Sequence, residues 1–357
     1  MKAVVFGASG YAGVELVRII DGHPELELIG ASAAGNAGGV LSELYPHLIG
    51  SPSAAMVLLD SEAMLQLLAA TSCDVAFLAL PHNQAAQMAA KLLDLVAVVV
   101  DLSADFRLRD PGLYPKVYNF VHPAPELLEE AVYGLVELNR SALMHARLIA
   151  SPGCYVTAVT LALFPLLENQ IIDAQGIIAN AVSGVSGAGR GSSVANLFGE
   201  IDSNVMAYGL SGHRHSCEIN QNLGTQVLFV PHLVPMTRGI LASCYGDVLP
   251  SAIEAEHLSN SSGAVVQDAI SSLVDDFYSG EPFVKVLEPG TSPRTKSTLG
   301  TNSAHLSVSY DAETKKVVAL CALDNMIKGA SGQAIQAANI ALGLAEDLGL
   351  VKVSIYP

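Results

Sequence analysis

The chain opens with a short apolar run, a glycine-rich turn and a predicted helix, and this order constrains its fold more than any other feature. Residues 3–6 read AVVF, residues 7–13 read GASGYAG, and residues 14–20 read VELVRII, a run that ends before Gly22 and Pro24. A strand that leads through such a turn into a helix is the phosphate-binding unit of a dinucleotide fold. The glycines are spaced GxxGxxG, a weaker signal than GxGxxG, so a glycine-rich loop without a ligand is the alternative.

The end of the second predicted strand bears on the choice of cofactor. Residues 26–32 form that strand, and residues 32–36 read SAAGN, without an acidic residue. An NAD site usually places Asp or Glu there to bind the ribose 2′-hydroxyl. A 2′-phosphate would meet no repulsion here, and the hydroxyl of Ser32 could bind it. The sequence therefore favours NADP.

Strands and helices alternate as far as residue 150, which predicts a doubly wound, Rossmann-type domain over residues 1–150. Within it, Pro81 follows a buried strand and opens a helix. Strands outnumber helices over residues 151–324, which predicts an α+β catalytic and dimerisation domain with a mixed or antiparallel sheet. We expect a C-terminal helical segment, residues 325–357, to pack back on the first domain.

Composition narrows the function classes. The 357 residues carry 34 acidic and 18 basic side chains, a net charge of −16, which argues against nucleic acid and anionic membranes as partners. Five scattered cysteines without a CxxC pair indicate neither a disulfide framework nor a zinc site. With no signal peptide visible and no apolar run of transmembrane length, we expect a cytoplasmic protein with reduced thiols.

The segment SPGCYVT, residues 151–157, is the strongest candidate for chemistry. It follows a strand end and precedes an apolar run long enough for a buried helix, so Cys154 is predicted at a helix N-terminus. The positive end of the helix dipole favours thiolate over thiol, and a thiolate is a nucleophile for covalent catalysis. A buried cysteine in a plain strand-to-helix turn is the alternative reading.

Three further segments carry polar groups suited to an anionic substrate. Residues 184–191 read GVSGAGRG, a flexible loop with Arg190. Residues 212–219 read GHRHSCEI, which combines two histidines with a carboxylate at Glu218; His213 is the candidate acid or base, and His215 is its alternative. Arg107 lies just beyond a parallel strand, at the edge where ligands of such sheets collect. The alternatives are that residues 184–191 form a plain mobile loop, that the histidines of residues 212–219 are structural, and that Arg107 forms a surface ion pair.

These motifs together resemble the N-acetyl-γ-glutamyl-phosphate reductases of arginine biosynthesis, which are related to the aspartate-semialdehyde dehydrogenases. The resemblance covers essentially the whole chain, and it includes DLSADFRL at Asp101, YGLVELNR at Tyr133, PHLVPMTRG at Pro231 and DNMIKGASGQAIQ at Asp324. It implies that Cys154 is the nucleophile and His213 the acid/base. Substrate-binding residues are then expected at Arg107, Ser183, Arg190 and Glu218. Cofactor contacts are expected at Gly7, Ser9, Gly10, Tyr11, Ala12, Gly13, Ser32, Pro81, Ser186, Gly187 and Asn325, with no metal.

The implied reaction is reduction of an acyl phosphate by NADPH through a cysteine thioester. An aspartate-semialdehyde dehydrogenase acting on a shorter substrate is the alternative within enzymes. A non-catalytic NADP-sensing protein would need neither Cys154 nor His213, and the net charge opposes a DNA-binding repressor. Apolar strands in the second domain favour a subunit interface, and we expect a homodimer or homotetramer.

Two positions depart from the family pattern, which usually has proline where this chain has Val156 and Cys217. Neither change removes a group with proton or electron chemistry. If residues 213–217 begin a helix, Cys217 lies one turn from His213. This suggests the hypothesis that oxidation links Cys154 and Cys217, with Cys217 as a small apolar filler as the alternative.

Overall fold

The computed structural model describes residues 1–191, 193–194, 197–255 and 262–355, and for residues 253–255 it describes the backbone only. The chain divides into two compact units. The first contains Met1–Pro152 and Ala330–Leu350, and the second contains Gly153–Gly329 and the segment that begins at Val351.

The first unit is built on a six-stranded parallel sheet with the order β2-β1-β3-β4-β6-β5. Its central strands are apolar along almost their whole length, as expected for parallel strands that helices cover on both faces. The strands are β1 (Lys2–Phe6), β2 (Glu27–Ser32), β3 (Cys73–Leu78), β4 (Val96–Asp101), β5 (Val132–Tyr133) and β6 (Leu148–Ala150).

The helices of the first unit alternate with these strands, as in a Rossmann fold. They are α1 (Tyr11–Asp21), α2 (Leu41–Leu44), α3 (Ser61–Ala70), α4 (Gln84–Leu92), α5 (Tyr114–Val117), α6 (Leu127–Glu130), α7 (Val136–Leu143) and, from the end of the chain, α14 (Gly332–Ala341). Short 3₁₀ turns cover Ala34–Asn36, Pro46–Leu48 and Pro111–Leu113.

The turn between β1 and α1 needs glycine at two positions for steric reasons. Gly7 has φ +83°, and a Cβ on it would lie 2.2 Å from the carbonyl oxygen of Ala79. A Cβ on Gly13 would lie 2.1 Å from the carbonyl oxygen of Gly7. Real side chains do not tolerate either contact, so both glycines are required for the tight packing of strand, turn and helix.

The second unit contains a seven-stranded mixed sheet with the order β11-β12-β13-β10-β7-β9-β8. The pairs β7–β9 and β11–β12 are parallel, and the other neighbours are antiparallel. The strands are β7 (Ile177–Ser183), β8 (Met206–Ala207), β9 (Val227–Leu233), β10 (Ile240–Asp247), β11 (Val284–Val286), β12 (Ala304–Asp311) and β13 (Lys316–Leu323).

Burial alternates along β7, β9 and β10, so one face of this sheet is covered and the other is open. Helix α8 packs against β10 and β13, and α12 packs against β12. The helices are α8 (Cys154–Glu168), α9 (Phe198–Ile201), α10 (Arg214–Leu223), α11 (Pro250–Ala255), α12 (Gly263–Phe277) and α13 (Thr295–Thr298), with a 3₁₀ turn at Val185–Ala188 and a π-helical turn at Ile327–Ser331.

The two sheets confirm the predicted fold class, a doubly wound Rossmann-type domain followed by an α+β domain with a mixed sheet. The C-terminal helix is shorter than predicted. It ends at Ala341 because Gly343, with φ +72°, turns the chain away from the helical conformation. Residues 325–329 and the segment that begins at Val351 group with the second unit, so only residues 330–350 of the predicted C-terminal segment group with the first. Residues 251–259 form an amphipathic run that predicts a helix, and this run lies partly outside the described residues.

Candidate active site

Cys154 is the first residue of α8, with Gly153 at the N-cap position. The cysteine is partly exposed. The backbone N–H of Gly153 donates a 2.9 Å hydrogen bond to Oε1 of Glu218, whose side chain is fully buried. Cys154 therefore lies at the positive end of a 15-residue helix, on a turn that a buried carboxylate holds in place.

His215 is the histidine that contacts this turn. A Cβ placed on Gly153 would lie 2.7 Å from His215 Nε2, so the imidazole packs directly on the glycine that precedes Cys154. His215 and Glu218 are three residues apart on α10 and thus lie on the same face of the helix. His213 is the histidine that the sequence favours as acid or base, and His215 is its alternative; the HRHxxE spacing contains the signal for the contact seen here.

His213 occupies the N-cap of α10. Its Nδ1 accepts a 3.1 Å hydrogen bond from the backbone N–H of His215. Burial, together with the neighbouring charge of Arg214, lowers the pKa of His213 from 6.5 to about 4. The ring is therefore neutral at physiological pH, and because Nδ1 is the acceptor, Nε2 carries the proton.

An aromatic cluster surrounds His213. Its ring stacks edge-on against Tyr155, Tyr208 and Phe229, with centroid distances of 5.4 to 6.0 Å. The Tyr208 hydroxyl donates a 3.1 Å hydrogen bond to the Tyr155 hydroxyl. Burial raises the pKa of both tyrosines, and the charge of Cys154 raises it further. Two neutral hydroxyls thus lie within electrostatic range of the cysteine, a feature that the sequence motifs did not reveal.

Ser183, predicted to bind substrate, belongs to this neighbourhood. It is buried at the end of β7, and its hydroxyl donates a 3.0 Å hydrogen bond to the carbonyl oxygen of Gly184. A Cβ on Gly187 would lie 3.1 Å from Ser183 Oγ and 3.5 Å from Asn325 Nδ2, so the glycine-rich loop folds back over these residues. Arg190, at the end of that loop, is exposed.

Ser186 and Asn325, predicted to contact the cofactor, bond to each other in this structure. Asn325 Nδ2 donates to Ser186 Oγ at 2.9 Å, and Asn325 Oδ1 accepts from the backbone N–H of Gly239 at 2.8 Å. Both residues are buried. In this structure their hydrogen bonds connect the segment after β13 to the loop that contains Ser186 and to the turn at Gly239. Contact of either residue with a cofactor stays a prediction.

Arg107 bridges two carbonyl groups of the first unit. Its Nε donates to the carbonyl oxygen of Ser151 at 2.7 Å, and its Nη2 donates to that of Leu102 at 2.8 Å. The backbone N–H of Ser151 also donates to the carbonyl oxygen of Asp101 at 2.8 Å. Arg107 is 9% exposed. Ser151 is thus held through its carbonyl group by Arg107 and through its N–H group by Asp101. Two of the donors of Arg107 are directed to backbone carbonyl groups.

Two buried carboxylates support the loop that carries Arg107. Asp101 accepts hydrogen bonds from the N–H and the hydroxyl of Ser103, at 2.8 and 2.9 Å. Burial, reinforced by the charge of Asp105, raises the pKa of Asp101 to about 7. Asp105 accepts from the backbone N–H groups of Asn83 and Ala86, at the start of α4. These bonds fix the edge of the sheet where ligands of this fold bind.

The predicted nucleotide turn is held by its own backbone. The N–H groups of Gly7 and Ala8 donate to the carbonyl oxygen of Ser32, at 2.9 and 2.8 Å. Gly10 is the N-cap of α1, whose first turn has no acidic residue. Tyr11 and Pro81 are exposed, whereas Ser32 is 2% exposed. The N-terminus of α1 is thus compatible with a dinucleotide phosphate, while Ser32 Oγ would need local movement to reach a 2′-phosphate.

Cys217 lies away from the face of α10 that contacts Gly153. His215 and Glu218 face Gly153, and two residues of helix place Cys217 about 200° around the axis from His215. The Cys154–Cys217 disulfide hypothesis therefore has no support from the helix geometry.

Among the described residues no group of three or more His, Cys, Asp or Glu is arranged to hold a metal, and no described helix has the length and hydropathy that a membrane span requires.

Comparisons with known proteins agree with the two units. A family model described as "Semialdehyde dehydrogenase, NAD binding domain" matches residues 2–146, and "Semialdehyde dehydrogenase, dimerisation domain" matches residues 154–325. An N-acetyl-gamma-glutamyl-phosphate reductase of Pelotomaculum thermopropionicum is 42% identical over 363 residues, which covers 100% of this chain and 99% of that protein. The chain belongs to the N-acetyl-gamma-glutamyl-phosphate reductase family. The Geobacter sulfurreducens reductase, 43% identical, matches both chains over their full length.

Solved structures show the same fold outside this family. Aspartate semialdehyde dehydrogenase II of Vibrio cholerae, in complex with ASA, aligns with a TM-score of 0.67 at 15% identity and covers 96% of this chain and 98% of its own. The Candida albicans enzyme with NADP aligns at 0.61 and 16% identity, over 97% and 99%. Family membership makes the chain an oxidoreductase with a nicotinamide cofactor.

Proposed function

We propose that this chain reduces N-acetyl-γ-glutamyl phosphate to N-acetylglutamate semialdehyde and phosphate, with NADPH as the cofactor and in the cytoplasm. The observation that carries the proposal is full-length similarity to reductases of that name, combined with a cysteine at the first position of α8 whose supporting turn contacts His215 and Glu218.

Cys154 acts as the nucleophile in this proposal. The N-terminus of α8 favours its thiolate, and the sulfur attacks the acyl carbon. A carbon–sulfur bond forms, the bond from carbon to the phosphate oxygen breaks, and phosphate leaves with its electron pair. Bound NADPH supplies the hydride that reduces the resulting thioester. Collapse of the thiohemiacetal releases the aldehyde and returns the electron pair to the sulfur of Cys154.

The two histidines receive different roles. His213 is neutral, with Nε2 protonated, so it is suited to donate a hydrogen bond to the oxygen that becomes negative in each tetrahedral intermediate. His215 lies against Gly153, next to the cysteine, and we assign to it the proton of the Cys154 thiol. This division departs from the sequence-based prediction, which gave both steps to His213.

The phosphate of the substrate needs a cationic partner. Arg107 directs two donors to the carbonyl groups of Ser151 and Leu102, which supports a positioning role for it. Arg190 is exposed at the end of the loop that packs on Ser183, and a guanidinium can hold a phosphate bidentately. We therefore assign phosphate binding to Arg190, and we assign the acyl chain to the region of Ser183 and Glu218.

The cofactor assignment has two supports. The N-terminus of α1, with Gly10 as N-cap and no acidic residue in its first turn, offers backbone N–H groups to a phosphate. The turn after β2 has no carboxylate that would repel a 2′-phosphate. The choice of NADP over NAD is thus part of the proposal, with Ser32 and Pro81 as further expected contacts.

We also propose that the chain forms a homodimer or homotetramer through the second unit. The open face of its sheet carries Ile178, 38% exposed, and Leu228, 62% exposed, on the paired strands β7 and β9. The matching family model is named a dimerisation domain. Static light scattering of the purified chain measures the assembly directly, and a monomer at micromolar concentration contradicts this part of the proposal.

The decisive test combines turnover with the covalent intermediate. Purified enzyme should reduce NADP⁺ with N-acetylglutamate semialdehyde and phosphate, and should use aspartate semialdehyde poorly. Mass spectrometry after incubation with the acyl phosphate, without NADPH, should show an acyl adduct on Cys154, and Cys154→Ser should show neither adduct nor turnover. Efficient use of aspartate semialdehyde would identify the alternative reductase, and cofactor binding without turnover would identify a sensor.

A further inference from the structure

A π-helical turn brings a glycine directly against the candidate nucleophile. A Cβ placed on Gly329 would lie 2.8 Å from Cys154 Cβ and 3.2 Å from Cys154 Cα. Gly329 lies in the π-helical turn Ile327–Ser331 and is buried. We propose that Gly329 is a positioning residue for Cys154: the space that its missing side chain leaves is the space that the cysteine occupies. Turns of this kind recur at functional sites.

The turn is anchored, so Gly329 cannot simply move aside. The backbone N–H of Gly329 donates to the carbonyl oxygen of Asp324 at 2.9 Å, a bond across five residues. The carboxylate of Asp324 accepts from the N–H groups of Met326 and Gly300, each at 2.8 Å. Asp324 is fully buried. Retreat of the turn would break hydrogen bonds at a buried charged group, which is costly.

Cys154 is fixed on its other side as well. The preceding Gly153 donates its N–H to Glu218 and contacts the ring of His215. A side chain at position 329 would therefore press the cysteine toward groups that are themselves held. The shift needed to move from 2.8 Å to the 3.4 Å of ordinary contact is roughly 0.6 Å. Displacements of this order cost one to two orders of magnitude in rate when the displaced atom is the reacting one.

This inference rests on the proposed function, because it assumes that Cys154 is acylated. The test compares wild type, Gly329→Ala and the control Gly199→Ala. A Cβ on Gly199 meets no atom within 4 Å, and its φ is not in the left-handed region. Rapid-quench mass spectrometry measures acylation of Cys154 by the acyl phosphate, and fluorescence measures binding of NADPH.

We expect Gly329→Ala to acylate about 10- to 100-fold more slowly than wild type, with NADPH affinity unchanged. Gly199→Ala should match wild type in both measurements. If wild type is not acylated on Cys154, the proposed function fails and this inference fails with it. If wild type and Gly329→Ala are acylated at equal rates, only the inference is overturned.

A double-mutant cycle provides a second readout that does not depend on activity. Cys154→Gly removes the Cβ that the new methyl group would strike, so Cys154→Gly/Gly329→Ala should be more stable than the two single changes predict. We expect this coupling to restore about 5 °C of melting temperature, the effect of relieving overpacking in a chain of this size. If Gly329→Ala alone does not fold, the double variant should. Additive melting temperatures, or a double variant that also fails to fold, would overturn the inference.

Discussion

Lowering the pH from 8 to 5 should leave His213 uncharged. An ordinary histidine takes up its proton between these values, but burial and the charge of Arg214 hold the pKa of His213 at about 4. The N-cap bond from the backbone N–H of His215 adds a geometric constraint, because it occupies the Nδ1 lone pair that protonation would need. The imidazole should therefore remain a neutral Nε2–H donor throughout the range in which the enzyme works.

The size of the effect follows from the pKa. The decrease from 6.5 to about 4 corresponds to a cost of about 3 kcal/mol for charging the ring in the folded chain. This is an upper limit, since solvent reaches part of the ring. At pH 7 the charged fraction would be about 0.1%, compared with about a quarter for an unperturbed histidine. A histidine with this pKa is poorly suited to act as a general base, because a general base must become an imidazolium. It is well suited to act as a neutral hydrogen-bond donor to an oxyanion.

The assay is an NMR titration of histidine Cε1–H resonances from pH 8 to the lowest pH at which the chain stays folded. His213→Asn identifies the resonance by its absence. Asparagine is also a good N-cap, so this variant should retain the start of α10. A resonance of His213 that titrates with a midpoint between 6 and 7 would refute the assignment of a neutral donor. It would also return the acid/base role to His213.

The same pKa has a consequence for stability. The folded state binds the His213 proton only near pH 4, whereas the unfolded chain binds it near pH 6.5, so the unfolded state holds more protons in between. The contribution of His213 to the free energy of unfolding is therefore complete above pH 6.5 and is lost as the pH falls to about 4. The difference in unfolding free energy between wild type and His213→Asn should shrink over this window by up to about 3 kcal/mol.

Three further outcomes are expected. NADPH should be used more efficiently than NADH in steady-state kinetics, and Ser32→Asp should reduce or reverse that preference; equal efficiency of both cofactors in wild type would contradict the proposal for the end of β2. Arg107→Lys should lower turnover about 10- to 100-fold and lower the melting temperature, because an ammonium group cannot bridge two carbonyl groups as the guanidinium does. Cys217→Ala should lose activity in peroxide at the rate of wild type, since Cys217 lies about 200° around the axis of α10 from His215, the residue that packs on Gly153; protection by this substitution would revive the disulfide hypothesis.

The sequence predicted the fold well because the signals for it are local. Continuous apolar runs mark β3 and β4 as buried parallel strands, and the glycines at positions 7 and 13 are required by backbone contacts close to them in sequence or in the same sheet. The end of α14 was missed although Gly343 marks it, since the apolar pattern continues beyond the glycine. Local pattern thus predicts elements better than it predicts where they stop.

The candidate site was less predictable because its contacts join distant segments. The hydrogen bond between Ser186 and Asn325 spans 139 residues, and no periodicity in either segment indicates that the two side chains bond to each other. The pairing of His215 with Glu218 is local, and their spacing of three residues would have placed both on one helix face. The spacing could not show that His215 and Glu218, and not His213, would contact Gly153.

The charge of the site is a property of two helix ends that meet. Helix α8 begins with Cys154, helix α10 begins after His213 as its N-cap, and the two helices pack against each other. Each N-terminus carries a partial positive charge, which stabilises a thiolate at one end and disfavours an imidazolium at the other. The chain as a whole carries a charge of −16, so an acyl phosphate must be attracted by local groups, namely the two helix N-termini and the guanidinium of Arg190. Added salt should therefore raise the KM for the acyl phosphate only modestly, because groups in contact with the substrate are screened less than distant surface charges.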